Sequence, residues 1–172
     1  VDDVMEYSQL ETQKVQWQLA DATPSKIVAN AVAVLRAKAE AKGIAVEVAT
    51  EATATVSVDP GRLTEVLCRL LDNAIKFTPE HGRVRVATTA QDGMVEFAIA
   101  DSGVGIAEAD RQRIFERFTQ IGDVMTGKPA GTGLGLSIAQ RIIDAFGGQI
   151  WCEDSPLGGA QFRFVLPQTV AR

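Results

Sequence analysis

Three stretches of the sequence place polar and glycine residues where a ligand could use them. Asp101 closes the run Met94–Ala100 in step with Val95, Phe97 and Ile99, so its carboxylate is expected to face the same buried side as those apolar residues. A carboxylate at the buried end of a strand can accept a hydrogen bond from an exocyclic amine. The segment DSGVGI at 101–106 adds Gly103 and Gly105, which permit backbone conformations closed to other residues and close approach of a ligand. The same stretch also reads as a capped turn into a following helix, and its residues alone leave both readings open.

The second stretch is GTGLGLSIAQ, where Gly131, Gly133 and Gly135 run into a helix whose core face is Ala139, Ile142, Ile143 and Phe146. A helix N-terminus presents unpaired N–H groups and a positive dipole end, which suits a phosphate chain. Each glycine costs a helix about 1 kcal/mol relative to alanine, so three at alternate positions exceed what a helix start needs. The third stretch is a helix flank, Arg69, Asn73, Lys76 and Phe77, spaced i, i+4, i+7, i+8. An amide oxygen can ligate magnesium, an ammonium can meet phosphate, and an aromatic ring can wall a base pocket. Such a flank is equally the ordinary look of a solvated helix face.

The elements that position these residues follow from punctuation and periodicity. Residues 1–20 are loosely helical with a thin apolar stripe that calls for a partner helix, a solvated arm being the alternative. Thr23-Pro24 opens a helix, with a hydroxyl N-cap, that runs to Lys42 before Gly43 and buries Ile27, Ala31, Val32 and Leu35. Strands are expected at Ile44–Ala49 and Thr55–Val58. Asp59-Pro60 then starts the clearest amphipathic helix, with Leu63, Val66, Leu67, Leu70, Leu71 and Ala74 on one face. Val84 and Val86, then Val95, Phe97 and Ile99, alternate on either side of Asp92-Gly93 as an antiparallel hairpin does. A short helix is predicted near Glu108–Phe115, another from Gly133 to Phe146, and a strand pair at Gln149–Glu153 and Ala160–Leu166. The fold class expected is α+β: a two-layer sandwich of a mixed, mostly antiparallel sheet with helices on one face.

Composition narrows the classes of ligand. A chain of 172 residues, 46% hydrophobic and 23% charged, is long enough for one domain with a real core. Its net charge of -5, with 17 scattered Lys and Arg, gives no footprint for nucleic acid or an anionic membrane, so an anion must be held locally. Cys68 and Cys152, without CxxC spacing, read as buried free thiols. No apolar run reaches the ~20 residues of a membrane span and no signal peptide opens the sequence, so a cytoplasmic location is expected, with a membrane anchor possible elsewhere in a longer parent.

In order along the chain stand LLDNAIKFTP at 70–79, DSGVGI at 101–106, FERF at 115–118 and GTGLGL at 131–136. In this order they resemble the catalytic domain of a sensor histidine kinase, within the ATPase superfamily that includes gyrase-type topoisomerases, ninety-kilodalton heat-shock chaperones and mismatch-repair ATPases. The resemblance implies ATP and magnesium as cofactors, with Asn73 as magnesium ligand, Lys76 a phosphate contact and Phe77 a wall of the nucleotide site. It implies that Asp101 reads the adenine amino group, that Gly103, Gly105 and Ile106 shape the adenine pocket, and that Gly131, Thr132, Gly133, Leu134, Gly135 and Leu136 close around the phosphates. Residues 119–130 match the family's mobile lid. DDVMEYSQLE resembles the end of a dimerisation helix, so residues 1–22 are expected to be that helix end and its linker and 23–172 the catalytic domain. The partners implied are the histidine-bearing dimerisation domain of the same parent, upstream of this sequence, and a response regulator receiver domain, the parent being a homodimer.

Other signals carry less. GDVMTGKP at 122–129 misses a P-loop at Pro129, DSGVGI lacks the third glycine of a dinucleotide fingerprint at Glu108, and Ser137 has no triad. His81 follows the nucleotide helix and matches no phosphoacceptor motif. Two positions depart from the family: Gln161, where a small hydroxyl residue is common, and Arg69, where most members carry asparagine. Arginine has donors only and a fixed charge, so it cannot ligate magnesium. Arg69 is expected either to meet phosphate and reduce the dependence of nucleotide binding on magnesium, or to fold away to the surface. Three readings follow: an active histidine kinase catalytic domain, a pseudokinase interaction module, and another ATPase or serine kinase of the superfamily.

Overall fold

The computed structural model describes residues 2–117 and 133–169. In chain order the elements are α1 (Asp2–Glu11), β1 (Ala20–Ala22), α2 (Pro24–Ala41), β2 (Ala45–Thr50), β3 (Val56–Val58), α3 (Pro60–Phe77), β4 (Arg83–Gln91), β5 (Met94–Asp101), two single 3₁₀ turns, α4 (Gly135–Ala145), β6 (Gln149–Asp154) and β7 (Ala160–Pro167). Five strands form one sheet in the order β2-β4-β5-β7-β6. The β2–β4 pair is parallel and the other three are antiparallel, and β1 and β3 make a separate antiparallel ribbon. This is the expected α+β sandwich.

The periodicities that predicted the elements also bury them. The α3 stripe Leu63, Val66, Leu67, Leu70, Leu71 and Ala74 is buried, and so is the sheet face made by Val84, Val86, Val95, Phe97, Ile99, Phe162, Phe164 and Leu166. Phe97 stacks on Phe164 with ring centroids 4.7 Å apart. The alternate residues Arg85, Ala87, Arg163 and Val165 are partly exposed, so the helices cover one face only. Asp59 caps α3 through Oδ1, which accepts from the N–H groups of Gly61 and Arg62, and its Oδ2 accepts from Gln18 N–H. Gly43 (φ 67°) ends α2, and Asp92-Gly93 (φ 54° and 76°) closes the β4–β5 hairpin.

Four expectations need correction. The N-terminal helix stops at Glu11 instead of running toward residue 20, and β1 follows it, paired with β3 through contacts no local pattern announces. Thr23 starts α2 without a side-chain bond; its carbonyl instead accepts from Lys26 and Ile27 N–H. The helix near Glu108–Phe115 is two 3₁₀ turns, Glu108–Asp110 and Arg113–Phe115, the second seating Phe115 against Phe162. The fourth helix begins at Gly135, two residues later than predicted, because Gly133 has φ 75°.

Helix α1 found its partner: Tyr7 and Leu10 are buried, and α1 packs on α4. Both cysteines are free thiols; Cys152 is buried, which pushes its thiol up to about 12, and Cys68 is half-buried. Among the described residues no helix is long and apolar enough to cross a membrane.

Candidate nucleotide site

The residues of α3 and β5 that could do chemistry converge where β5 ends. Asn73 and Phe77 from α3, Asp101 from β5, Gly105 and Ile106 from the turn after it, and Ala160 and Phe162 from β7 line a small recess, partly open to solvent. Strand parity puts Asp101 there, as expected, and it is only 4% exposed. Its Oδ1 accepts from Gly103 N–H at 2.9 Å and Ala160 N–H at 3.1 Å. Burial raises the carboxyl above its ordinary range, and the two backbone bonds partly counter this. Among the described residues both bonds end on Oδ1, so Oδ2 is the oxygen left to the recess that Asp101 lines.

Two glycines make this arrangement possible by close approach. A Cβ at Gly103 would overlap the Phe77 carbonyl oxygen, and one at Gly159 would overlap Asp101 Oδ1. Gly105 holds φ 76°. Gly159, Ala160 and Phe162 were not singled out by the sequence reading as site residues. The signal available was the doubled glycine: Gly158, with φ 105°, suffices for the β6–β7 turn, whereas Gly159 is needed by the carboxylate beneath it.

The phosphate segment is described in part. Gly131 and Thr132 lie outside the described residues, as do the expected lid at 119–130, the P-loop look-alike at 122–129 and the last residue of FERF. Leu134 and Leu136 are buried at 1% and 5%, so their side chains pack the core and only backbone there could face a ligand. Ser137 Oγ donates to the Leu134 carbonyl at 2.8 Å, fixing the first turn of α4. Lys76 is exposed, with its ammonium 3.7 Å from Asp72, and is not among the residues lining the recess. Among the described residues no group of three or more His, Cys, Asp or Glu could hold a metal ion. The donor set fits magnesium only as an ion held mainly by phosphate oxygens and water, with Asn73 adding one amide oxygen.

Arg69 points elsewhere than the site. Its guanidinium donates to Asp3 Oδ1 at 3.0 Å, Glu6 Oε2 at 3.1 Å and Glu65 Oε1 at 3.0 Å. Three carboxylates balance the charge that was expected to repel magnesium, so the expectation of weak magnesium dependence loses its premise. Glu6 also accepts from Arg62 at 2.7 Å. Burial and the neighbouring Glu65 raise the Glu6 carboxyl to about 7, against the pull of Arg69 and Arg62. Its proton is thus bound more tightly in the folded chain than in the unfolded one. The resulting stabilisation is complete below about pH 4.5 and is lost as pH rises through 7. Amide exchange in α1, corrected for intrinsic rate, is expected to be slower at pH 6 than at pH 8 in the parent. Glu6→Gln should flatten that difference; an unchanged pH dependence would refute the role of Glu6.

The sequence pattern described as histidine kinase-, DNA gyrase B-, and HSP90-like ATPase matches residues 58–170. The chain is 47% identical over 115 residues to the adaptive-response sensory kinase SasA of Nostoc sp., covering 65% of this chain and 28% of that protein. It is 34% identical over 162 residues to the virulence sensor protein BvgS of Bordetella bronchiseptica, covering 91% of this chain and 13% of that protein. The chain thus spans under a third of the length of either relative. Among solved structures, full-length ShkA in complex with AMPPNP superposes with a TM-score of 0.87 at 33% identity, over 99% of this chain and 35% of that one. The catalytic domain of the histidine kinase ThkA superposes with a TM-score of 0.78 at 29% identity, over 88% of this chain and 97% of that one. With a matching sequence pattern over most of its length, and Asn73, Phe77, Asp101, Gly105 and Ile106 gathered in one recess, the chain belongs to the histidine kinase-, DNA gyrase B- and HSP90-like ATPase family.

Proposed function

We propose that this chain is the ATP-binding catalytic part of a two-component sensor histidine kinase, passing the γ-phosphate of ATP to a histidine on the dimerisation domain of a homodimeric, cytoplasmically exposed parent. The observation that carries this reading is the Asp101 carboxylate, pinned through Oδ1 by two backbone N–H groups while it lines the recess. An acceptor held in this way selects an amino group, as on adenine, without having to reorganise on binding. The names of SasA and BvgS as a sensory kinase and a sensor protein support the signalling role. Residues 1–22 would then be the dimerisation-helix end and linker and 23–172 the catalytic domain, with a response regulator receiver domain as the later phosphoryl acceptor.

Within this reading each residue has one task. Asp101 orients the adenine, Phe77 and Ile106 wall it, and Gly103 and Gly105 let the backbone come close. Asn73 offers its amide oxygen to magnesium, which when bound neutralises phosphate charge. Lys76, whose exposed pairing with Asp72 is weak, is free to swing to a phosphate. The backbone from Gly131 to Leu136 surrounds the phosphates. Calorimetric titration with magnesium-ATP tests the reading, and absence of binding would refute it.

A second expected result is that the chain does not phosphorylate itself. His81 is exposed on the turn after α3 with φ 66°, and its N–H donates to the Lys42 carbonyl. Incubation with magnesium-ATP should leave no acid-labile phosphate on this chain and should label a separately supplied dimerisation domain. Label on the chain that disappears in His81→Ala would overturn the assignment.

A further inference from the structure

Helix α3 carries the recess residues Asn73 and Phe77 near its C-terminal end, so whatever fixes that end bears on the site. An α-helix leaves its last four carbonyls without partners of its own. In α3 these belong to Ala74, Ile75, Lys76 and Phe77. The buried Thr78 donates through Oγ1 to the Ala74 carbonyl at 2.6 Å. The Ile75 and Lys76 carbonyls both accept from Lys42 Nζ, each at 2.9 Å. The Phe77 carbonyl lies against Gly103, in the turn after Asp101, where a Cβ would overlap it.

Lys42 is itself held in place by the backbone. It follows α2, its N–H donates to the Ala39 carbonyl at 3.2 Å, and its carbonyl accepts from His81 N–H at 3.1 Å. Ala45 N–H donates to the Gly82 carbonyl at 3.1 Å, so the bend between α2 and β2 is bonded to the turn between α3 and β4. That turn reaches β5 in its own right: Arg83 N–H donates to Ser102 Oγ at 2.8 Å and Ser102 N–H to the Arg83 carbonyl at 3.0 Å. A cation at this place also meets the negative end of the α3 dipole. Lys38, on α2, faces the same helix differently. It pairs with the Asp72 side chain at 3.1 Å while remaining 65% exposed, a surface pair that contributes little.

We propose that Lys42 is a positioning residue of the nucleotide site: its ammonium caps α3 and so keeps Phe77 seated against the Gly103 turn, where the ring walls the recess. This rests on the nucleotide reading above. Lys42 is not among the residues that line the recess, so it acts through α3. Without its ammonium the Ile75 and Lys76 carbonyls turn to water and the last turn of α3 opens more often. Nucleotide binding then has to order that turn again, at a cost in affinity.

The test is Lys42→Met, which keeps the aliphatic stem and removes the donor, beside Lys42→Arg, which returns a cationic donor. Calorimetry with magnesium-AMPPNP, on variants that circular dichroism shows to be folded, is expected to give an affinity about three- to tenfold lower in Lys42→Met and largely restored in Lys42→Arg. The loss should persist in high salt, where a direct attraction between the ammonium and the phosphates would be screened away. In the unsubstituted chain, hydrogen exchange of the Lys42 ammonium, followed by NMR on nitrogen-labelled lysine, should slow when AMPPNP binds. That measurement decides the matter should Lys42→Met not fold. Undiminished affinity in folded Lys42→Met, a loss that salt abolishes, or an ammonium indifferent to nucleotide would each refute the positioning role and leave the nucleotide reading intact. Failure of the unsubstituted chain to bind AMPPNP would instead remove the nucleotide reading, and the role of Lys42 with it.

Discussion

Asp101→Asn is expected to lower the affinity of the chain for ATP by on the order of ten- to a hundredfold, from the loss of a charge-assisted hydrogen bond of about 1.5–3 kcal/mol. The geometry gives this substitution an unusual sharpness. Gly103 and Ala160 N–H groups both require an acceptor at the position of Oδ1. An asparagine must therefore put its carbonyl oxygen there and its amino group where Oδ2 was. The recess then presents a donor to the donor of the adenine amino group, so a bond is replaced by a repulsion. The fold should be kept, since the two backbone bonds survive in neutral form. Calorimetric titration of the parent and Asp101→Asn with magnesium-ATP measures the effect, and equal affinities would remove Asp101 from the site. A guanine nucleotide offers a carbonyl where adenine has its amine and should gain relative to ATP in the variant.

Gly159→Ala is expected to weaken ATP binding by a comparable factor and also to destabilise the chain by about 1–3 kcal/mol, the range for forcing extra volume into a packed site. A Cβ there would overlap Asp101 Oδ1 and lie 2.5 Å from Gly103 N, so the carboxylate and the turn that binds it cannot both remain in place. Thermal unfolding should show the loss as a Tm lower by roughly 2–4 °C for each kcal/mol. Both substitutions act through one carboxylate, so the double variant should bind ATP less weakly than the two separate losses combined would give. Strict additivity in that cycle, or an unaltered affinity in Gly159→Ala, would show that Gly159 does not position Asp101.

Much of the fold was legible because its causes are local. The Asp59 cap, the proline at the first position of α3 and the recurrence of apolar residues along it act over a few residues, and the helix forms as read. The same holds for Asp92-Gly93, whose positive φ values fix a two-residue turn, and for the alternation that buried Phe97 and Ile99 on the side of Asp101. The four ordered motifs carried the family, and the recess draws together Asn73, Phe77, Asp101, Gly105 and Ile106 from the first two of them.

What the sequence could not decide depends on groups far apart along the chain. Helical spacing put Arg69 and Lys76 on the flank of Asn73, but spacing says nothing about what lies opposite. Asp3 and Glu6, more than sixty positions away, take the Arg69 guanidinium, and Lys76 stays exposed beside Asp72. Strand β1 exists only because Ala20–Ala22, of weak intrinsic preference, meets β3, and the Asp101 oxygen left to the recess was decided in part by Ala160, 59 residues further on. Thus the sequence by itself determined helices α2 and α3, the hairpin, the face of Asp101 and the family. Tertiary structure alone decided which charges are paired, which oxygen faces the recess, and that Gly159 must be glycine, because such contacts are satisfied across elements and leave no period or local motif to read.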